Sequence, residues 1–252
     1  MNADMEFPLA MTDRLSITDP RERVIVALDF SSASLALEQV ERLEGRAAWV
    51  KVGLELYLAA GPGIVETLAL RGLKVFLDLK LHDIPHTVAG AVRAVSASGA
   101  SLLTVHAAGG PAMLEAAAEA AGTTPGAPRL LAVTVLTSMD AAQLQATGVA
   151  SSPVEQVLRL GRLARAAGIS GLVCSAEEVV GVRREFGAGA LLVVPGIRPA
   201  GAAVGDQARV ATPGAALAAG ASMLVIGRPI TRASDPGAAF DGIVREMTLV
   251  GA

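Results

Sequence analysis

Within the run LKVFLDLKLHDIPHT (73–87), three charged residues fall close together after an apolar stretch: Asp78, Lys80 and Asp83. If the run is a strand, side chains alternate with period two, so Asp78 and Lys80 share a face. Asp83 then follows at the strand's end, and two carboxylates gather round one ammonium. Charged side chains are rarely buried without a partner or a task. The bland alternative is a structural ion pair, with Asp83 helping to start a helix at Pro85. Two further segments extend the array. Lys51 sits in AWVKVG (Ala48–Gly53), and Asp29 ends VIVALD (Val24–Asp29). Alone, Asp29 reads equally well as a helix cap beside Ser31 and Ser32. Together the alternating charges keep the net charge small. Neighbouring carboxylates hold each lysine protonated, so Lys80 is a proton donor rather than a base.

A second constellation lies towards the C-terminus: Pro195-Gly196-Ile197-Arg198 and Gly227-Arg228-Pro229-Ile230-Thr231. Glycines let backbone N–H groups approach an anion, and arginine offers a forked donor. Either arginine alone reads as a solvated surface residue; both beside glycine point to phosphate. The stretch from Pro195 to Pro213 is long, rich in Gly and Ala, and carries Arg198 and Gln207. Such a loop is expected to act as a lid that excludes water and couples phosphate binding to the chemical step. His82, His86 and His106 form no metal-ligand motif, since Pro85 separates the first two, and they are read as structural. No metal and no cofactor is expected. Cys174 lies in an apolar run and is read as a small buried hydrophobe.

The elements that must hold these groups repeat one pattern. Eight strand-like runs occur: 24–29, 48–53, 73–80, 102–107, 130–136, 171–175, 191–196 and 223–227. Helical stretches follow them at 34–43, 64–71, 85–98, 111–121, 153–167, 176–186, 213–219 and 236–247. Proline near the first turn starts several helices. Glycine is expected to end several of them, at Gly45, Gly72, Gly99, Gly122, Gly168 and Gly220. Eight tandem strand–helix units without a linker predict an α/β chain folded as a single-domain (β/α)8 barrel, the TIM-barrel architecture. A doubly wound dinucleotide fold would want G-x-G-x-x-G after the first strand, where the chain has Asp29-Phe30-Ser31-Ser32. A barrel places its active site at the carboxyl ends of the strands, where the charges above fall, and often holds phosphate with the loops after strands seven and eight.

Composition sets the limits. The 252 residues are 52% hydrophobic, 18% charged and 3% aromatic, which suits an aliphatic core of strands buried on both faces. The net charge of −3 without a basic run excludes a nucleic-acid footprint. One cysteine allows no intrachain disulfide, which fits a reducing cytoplasm. The N-terminal stretch is acidic and reads as neither signal nor membrane segment. Residues 1–20 are expected to be an extension, with Met11 an alternative start, and residues 21–252 the catalytic barrel.

Asp78-x-Lys80-x-x-Asp83-Ile84-Pro85-x-Thr87 resembles the signature of the orotidine 5′-phosphate decarboxylases. Ala27-Leu28-Asp29, Lys51-Val52-Gly53, Thr104-Val105-His106-Ala107, Leu136-Thr137-Ser138, Pro195-Gly196-Ile197-Arg198, Gly205-Asp206-Gln207 and Val225-Ile226-Gly227-Arg228-Pro229-Ile230 resemble the bacterial form, in order. The resemblance implies decarboxylation of orotidine 5′-monophosphate to uridine 5′-monophosphate, the last step of pyrimidine nucleotide synthesis, without a cofactor. It implies that Lys80 protonates pyrimidine C6 and that Asp78 and Asp83 flank it. Asp83 and Thr87 would enter from the other subunit of a homodimer. Asp29 and Lys51 would hold the ribose hydroxyls, Thr137 and Ser138 would lie near the pyrimidine, and Gln207 would bridge base and phosphate. Arg198, Gly227 and Arg228 would bind the phosphate.

Two other readings fit part of the pattern. A metal-dependent sugar-phosphate lyase, hexulose-phosphate synthase-like or acting on keto-gulonate phosphate, shares the Asp-x-Lys-x-x-Asp run but not the Ile-Pro-x-Thr continuation. A non-catalytic barrel that senses a nucleotide would bind uridine 5′-monophosphate without turnover, but has no use for an ammonium at a point of scission.

Overall fold

β-branched and leucine-rich runs of strand length pair in register to close a ring. In the computed structural model, which describes residues 17–199 and 211–249, eight parallel strands form a closed barrel in sequence order. They are β1 (Val24–Ala27), β2 (Trp49–Gly53), β3 (Lys74–Leu81), β4 (Ala100–His106), β5 (Arg129–Val133), β6 (Gly171–Val173), β7 (Leu191–Val194) and β8 (Met223–Ile226). Pairing of Val24 with Leu224 and of Ile25 with Val225 joins β1 to β8 and leaves no open edge.

Helices cover the outside: α1 (Ala33–Arg42), α2 (Leu54–Ala60), α3 (Gly63–Leu70), α4 (Pro85–Ser96), α5 (Gly110–Thr123) and α6 (Ala141–Ala146). They continue as α7 (Pro153–Ala166), α8 (Val179–Phe186), α9 (Pro213–Ala218), α10 (Arg228–Thr231) and α11 (Pro236–Leu249). The start signals are local. Ser152 and Glu155 form a reciprocal capping box at α7, with Pro153 in the first turn. Most of the expected helix-ending glycines do take positive φ: Gly45, Gly72, Gly99, Gly168 and Gly220. Gly122 does not, because α5 runs on through Thr123 and the left-handed glycine of that connection is Gly126.

The period-two alternation separates two apolar layers. Val24, Val26, Val50, Val52, Leu103 and Leu192 point outward to the helices. Ile25, Trp49, Phe76, Leu102, Leu131 and Met223 point inward and fill the lower lumen. The lumen is thus a packed core, and only its upper end is free for chemistry. Three helices were not anticipated. α2 starts directly at the end of β2 with no connecting loop, α6 is short, and α10 is a single turn after β8. Among the described residues, no helix is long and apolar enough to cross a membrane.

Candidate active site

The inner-face parity that fills the lower barrel with apolar residues brings Asp29, Lys51, Asp78 and Lys80 to its upper end. Lys51 is the inner residue of β2 after Trp49, and Asp78 the inner residue of β3 after Phe76. Asp29 lies just past β1, whose ladder is prolonged by the Leu28 N–H donating to the Lys51 carbonyl at 2.9 Å. Two ion pairs result. Lys51 Nζ donates to Asp29 Oδ1 at 2.8 Å, and Lys80 Nζ to Asp78 Oδ2 at 2.8 Å. Lys51 and Asp78 are largely buried, with side chains 11% and 14% exposed, whereas their partners reach towards solvent. Gly53 makes room for the first pair, since a Cβ there would lie 2.8 Å from Lys51 Nζ and 3.4 Å from Asp29 Oδ1.

The β3 strand reaches this arrangement irregularly. Leu77 faces Leu103 and Leu81 faces Val105, so four steps along β3 match two along β4. An even surplus keeps the facing parity, and Leu81 still packs on the outer layer. Lys80 absorbs the distortion with φ +50, one of two non-glycine residues with positive φ among the described residues. Simple alternation correctly puts Asp78 and Lys80 on one side, but the backbone between Leu77 and Leu81 is a bulge rather than a regular strand.

Thr104 spans that bulge. It is fully buried on β4. Its Oγ1 accepts the Lys80 N–H at 2.8 Å and donates to Asp78 Oδ1 at 3.0 Å. Sequence reasoning assigned Thr104 no role. The available signal was a hydroxyl at an inner position otherwise occupied by Leu102 on the same strand.

Asp83 is placed differently from the one-chain cluster expected of Asp78, Lys80 and Asp83. It is exposed at the start of α4, its Oδ1 accepts the Ile84 N–H at 2.6 Å, and the ion pair of Lys80 is made with Asp78. Strand β3 ends at Leu81, so Asp83 has already left the wall of the barrel. Thr87 is also exposed, on the first turn of α4. Ile84 beside them is 66% exposed.

On the other side of the mouth, Thr137 and Ser138 form a turn after β5, the first half-buried and the second exposed. Gly227 links β8 to α10, with Arg228 partly buried at the first position of that helix. Arg198 is buried, and one guanidinium N–H donates to the Ile197 carbonyl at 2.8 Å. Its backbone N–H donates to the Ala211 carbonyl at 2.9 Å, and Ile197 pairs with Ala211, which draws together the two ends of the expected lid. Gln207 lies outside the described residues, as does most of the N-terminal extension.

The histidines lie next to the charged pair. His82 and His106 stack with ring centroids 5.0 Å apart and planes 18° from parallel. His106 Nδ1 accepts the Ala108 N–H at 3.3 Å. Burial, followed by the positive charges of His82 and Lys80, pushes His106 below the usual imidazole range. Among the described residues no group of three or more His, Cys, Asp or Glu side chains could hold a metal ion.

Comparison with known proteins converges on one family. The model of the orotidine 5′-phosphate decarboxylase / HUMPS family matches residues 22–243. An orotidine 5′-phosphate decarboxylase of Halorhodospira halophila is 54% identical over 237 residues, covering 94% of this chain and all of that protein. One from an Anaeromyxobacter species is 57% identical over 224 residues, covering 89% of this chain and 97% of that one. The crystal structure of orotidine 5′-phosphate decarboxylase from Lactobacillus acidophilus superposes with a TM-score of 0.79 at 39% identity, covering 90% of this chain and 99% of that one. A TIM barrel with paired charges at its mouth and full-length relatives of one name places this chain in the orotidine 5′-phosphate decarboxylase / HUMPS family.

Proposed function

We propose that this protein is a carboxy-lyase that converts orotidine 5′-monophosphate to uridine 5′-monophosphate and CO2 in the cytoplasm. The observation that carries the reading is the Lys80–Asp78 pair, a cation held at 2.8 Å on the inner face of a barrel mouth. Breaking the C6–carboxylate bond leaves an electron pair on C6, in an orbital that ring carbonyls stabilise poorly. A fixed ammonium stabilises that charge where it develops, in a site that excludes water. Lys80 then gives a proton to C6, is left as a neutral amine, and regains its proton from solvent. Asp78 aims the ammonium and lies close to where the departing carboxylate stands. Asp29 and Lys51 take the ribose hydroxyls, Thr137 and Ser138 face the pyrimidine, and Gln207 reaches base and phosphate. Arg198, Gly227 and Arg228 receive the phosphate. Residues 21–252 act as one catalytic domain, with 1–20 as an extension, and nucleic acid has no part in its work.

Two copies complete each site. Asp83 and Thr87 are exposed, beside the exposed apolar Ile84, and Asp83 is not the ion-pair partner of its own chain's Lys80. A two-fold dimer would carry both to the partner's mouth and bury that apolar surface.

The test follows loss of orotidine 5′-monophosphate absorbance in excess chelator. Turnover is expected, and Lys80→Ala should lower kcat by about 10⁴-fold or more, since it removes both charge stabilisation and the proton donor. Asp83→Ala should also be nearly inactive. Refolding the two variants together at equal ratio should restore about one quarter of wild-type activity, because half the dimers then hold one intact site. Absence of turnover with tight binding of uridine 5′-monophosphate would replace the enzyme by a sensor. Failure of the mixture to recover would remove the shared site.

A further inference from the structure

We infer that Thr104 is a positioning residue for the proton donor, and that its hydroxyl holds Lys80 in the left-handed conformation from which the ammonium reaches C6. The inference rests on the decarboxylase reading of Lys80.

An L residue with a Cβ prefers negative φ, yet Lys80 sits at +50. Such a conformation persists only where its surroundings over-determine it. The bulge removes Lys80 from the regular ladder, because β4 is matched to β3 at Leu77 and next at Leu81. The Lys80 N–H, which needs an acceptor, finds the Thr104 hydroxyl at 2.8 Å. An amide can only donate, so the hydroxyl oxygen must accept. Its own proton is therefore directed to the Asp78 carboxylate, which it meets at 3.0 Å on Oδ1. The other carboxylate oxygen, Oδ2, receives the Lys80 ammonium at 2.8 Å.

The four groups close a ring that begins and ends on Lys80: backbone N–H, Thr104 hydroxyl, Asp78 carboxylate, side-chain ammonium. One buried hydroxyl thus fixes two variables together, the backbone torsion that launches the lysine and the carboxylate on which it rests. Thr104 is fully buried, so its hydroxyl is shielded from bulk solvent. Its β-branched side chain on a strand is confined in χ1, which sets the direction of the hydroxyl. Valine has nearly the same shape and lacks only the hydroxyl. It would leave the amide without its acceptor and the carboxylate without its neutral donor.

The experiment compares Thr104→Val, Thr104→Cys and Thr104→Ser with the wild type and Lys80→Ala. Each is assayed for kcat and KM with orotidine 5′-monophosphate, for the Kd of uridine 5′-monophosphate by calorimetry, and for thermal stability. Thr104→Val should lose about 10- to 100-fold in kcat, the loss expected of a reacting group displaced by about 1 Å. Product Kd should stay within about threefold, because the residues assigned to ribose and phosphate are not altered. Thr104→Ser should recover most of kcat, and Thr104→Cys, a weaker donor and acceptor, should fall between. If Thr104→Val does not fold, the ordering of Ser above Cys in kcat at matched product Kd decides the matter. A Thr104→Val enzyme with unchanged kcat overturns the inference, and so does a parallel loss of kcat, product binding and stability. Should wild type itself fail to turn over, or Lys80→Ala stay active, it is the decarboxylase reading that falls instead.

Discussion

On the β1 to β4 side of the mouth the charged groups stand on the strands or directly at their ends: Asp29, Lys51, Asp78 and Lys80, tied by two ion pairs of 2.8 Å. On the β5 to β8 side the inner faces stay apolar, with Leu131, Val193 and Val225, and the polar groups begin only past the strands, at Thr137, Ser138, Arg198 and Arg228. β3 and β4 are eight and seven residues long, against three to five for β5 to β8, but β4 ends level with β5 and β6, His106 facing Val133 and Val133 facing Val173, so the two sides differ in what their strands carry rather than in how high they reach. Lys51 and Asp78 are held by regular ladders, and Lys80, which the bulge takes out of its ladder, is held by Thr104 and Asp78; groups fixed in this way lose little freedom when substrate arrives, which would suit the proposed proton donor. Groups held on loops can open to admit a charged ligand and close over it, which suits phosphate capture. On the proposed roles, one ring of strands would separate rigid chemistry from adaptable binding.

Removing the hydrogen-bond donor proposed for the phosphate tests that division most severely. Arg228→Ala should lower kcat/KM for orotidine 5′-monophosphate by about 10- to 100-fold, the value of one or two charge-assisted hydrogen bonds. The same change should leave the much weaker reaction of orotidine, which has no phosphate, nearly unaltered. Equal losses with both substrates would mean that Arg228 supports the strand side as well, and the division of labour would fail.

A smaller effect is expected from Gly53→Ala on the strand side. The added methyl would fall 2.8 Å from Lys51 Nζ, at the far end of a flexible side chain, while the backbone of Gly53 is in an extended conformation that alanine tolerates. The fold should therefore survive with little change in thermal midpoint, and the Lys51–Asp29 pair should shift. Since the ribose is common to both substrates, kcat/KM should drop about tenfold for orotidine and for its phosphate alike. A loss confined to the phosphorylated substrate would assign the pair to the wrong half of the ligand.

These two halves differed in how far they could be read beforehand. Period-two alternation placed Asp78 and Lys80 on one inner face, because parity survives a two-residue surplus. It could not show that Lys80 turns left-handed or that Thr104 takes up its amide, since both depend on the register of β3 against β4. Closeness in sequence suggests the same cluster for Asp83, but the strand ends at Leu81 and Asp83 stands exposed in the connection ahead of α4. Strand ends were overrun elsewhere for a related reason. Apolar residues such as Val135 continue past the ladder of β5 because they remain buried at the mouth. Helix α6 carries a mark readable in the sequence, the reciprocal cap between Asp140 and Gln143. Helix α8 begins later than its apolar pattern suggests because the buried Glu178 accepts the Ser175 N–H and hydroxyl, holding the intervening residues in a turn.

The smallest expected effect concerns the boundary between the strand-borne charges and their surroundings. His106 ends β4 and stacks on His82, with the ammonium of Lys80 also acting on it. Burial first, then the charge interactions with His82 and Lys80, lower its pKa from 6.5, so the folded protein resists a proton that the unfolded chain accepts. The sign follows. Above 6.5 the ring is neutral in both states and no stability is lost. As pH falls through 6.5 the unfolded chain gains a proton first, and stability declines until the folded pKa has also been passed. His106→Gln cannot take up a proton and should flatten that decline, while its stability above 6.5 changes only by the altered packing on His82. Urea unfolding midpoints of the two proteins on either side of 6.5 make the comparison, with wild type expected to lose more on acidification. Parallel curves would mean that His106 binds its proton equally well in the folded and the unfolded chain, so that neither its burial nor the charge of Lys80 acts on the ring.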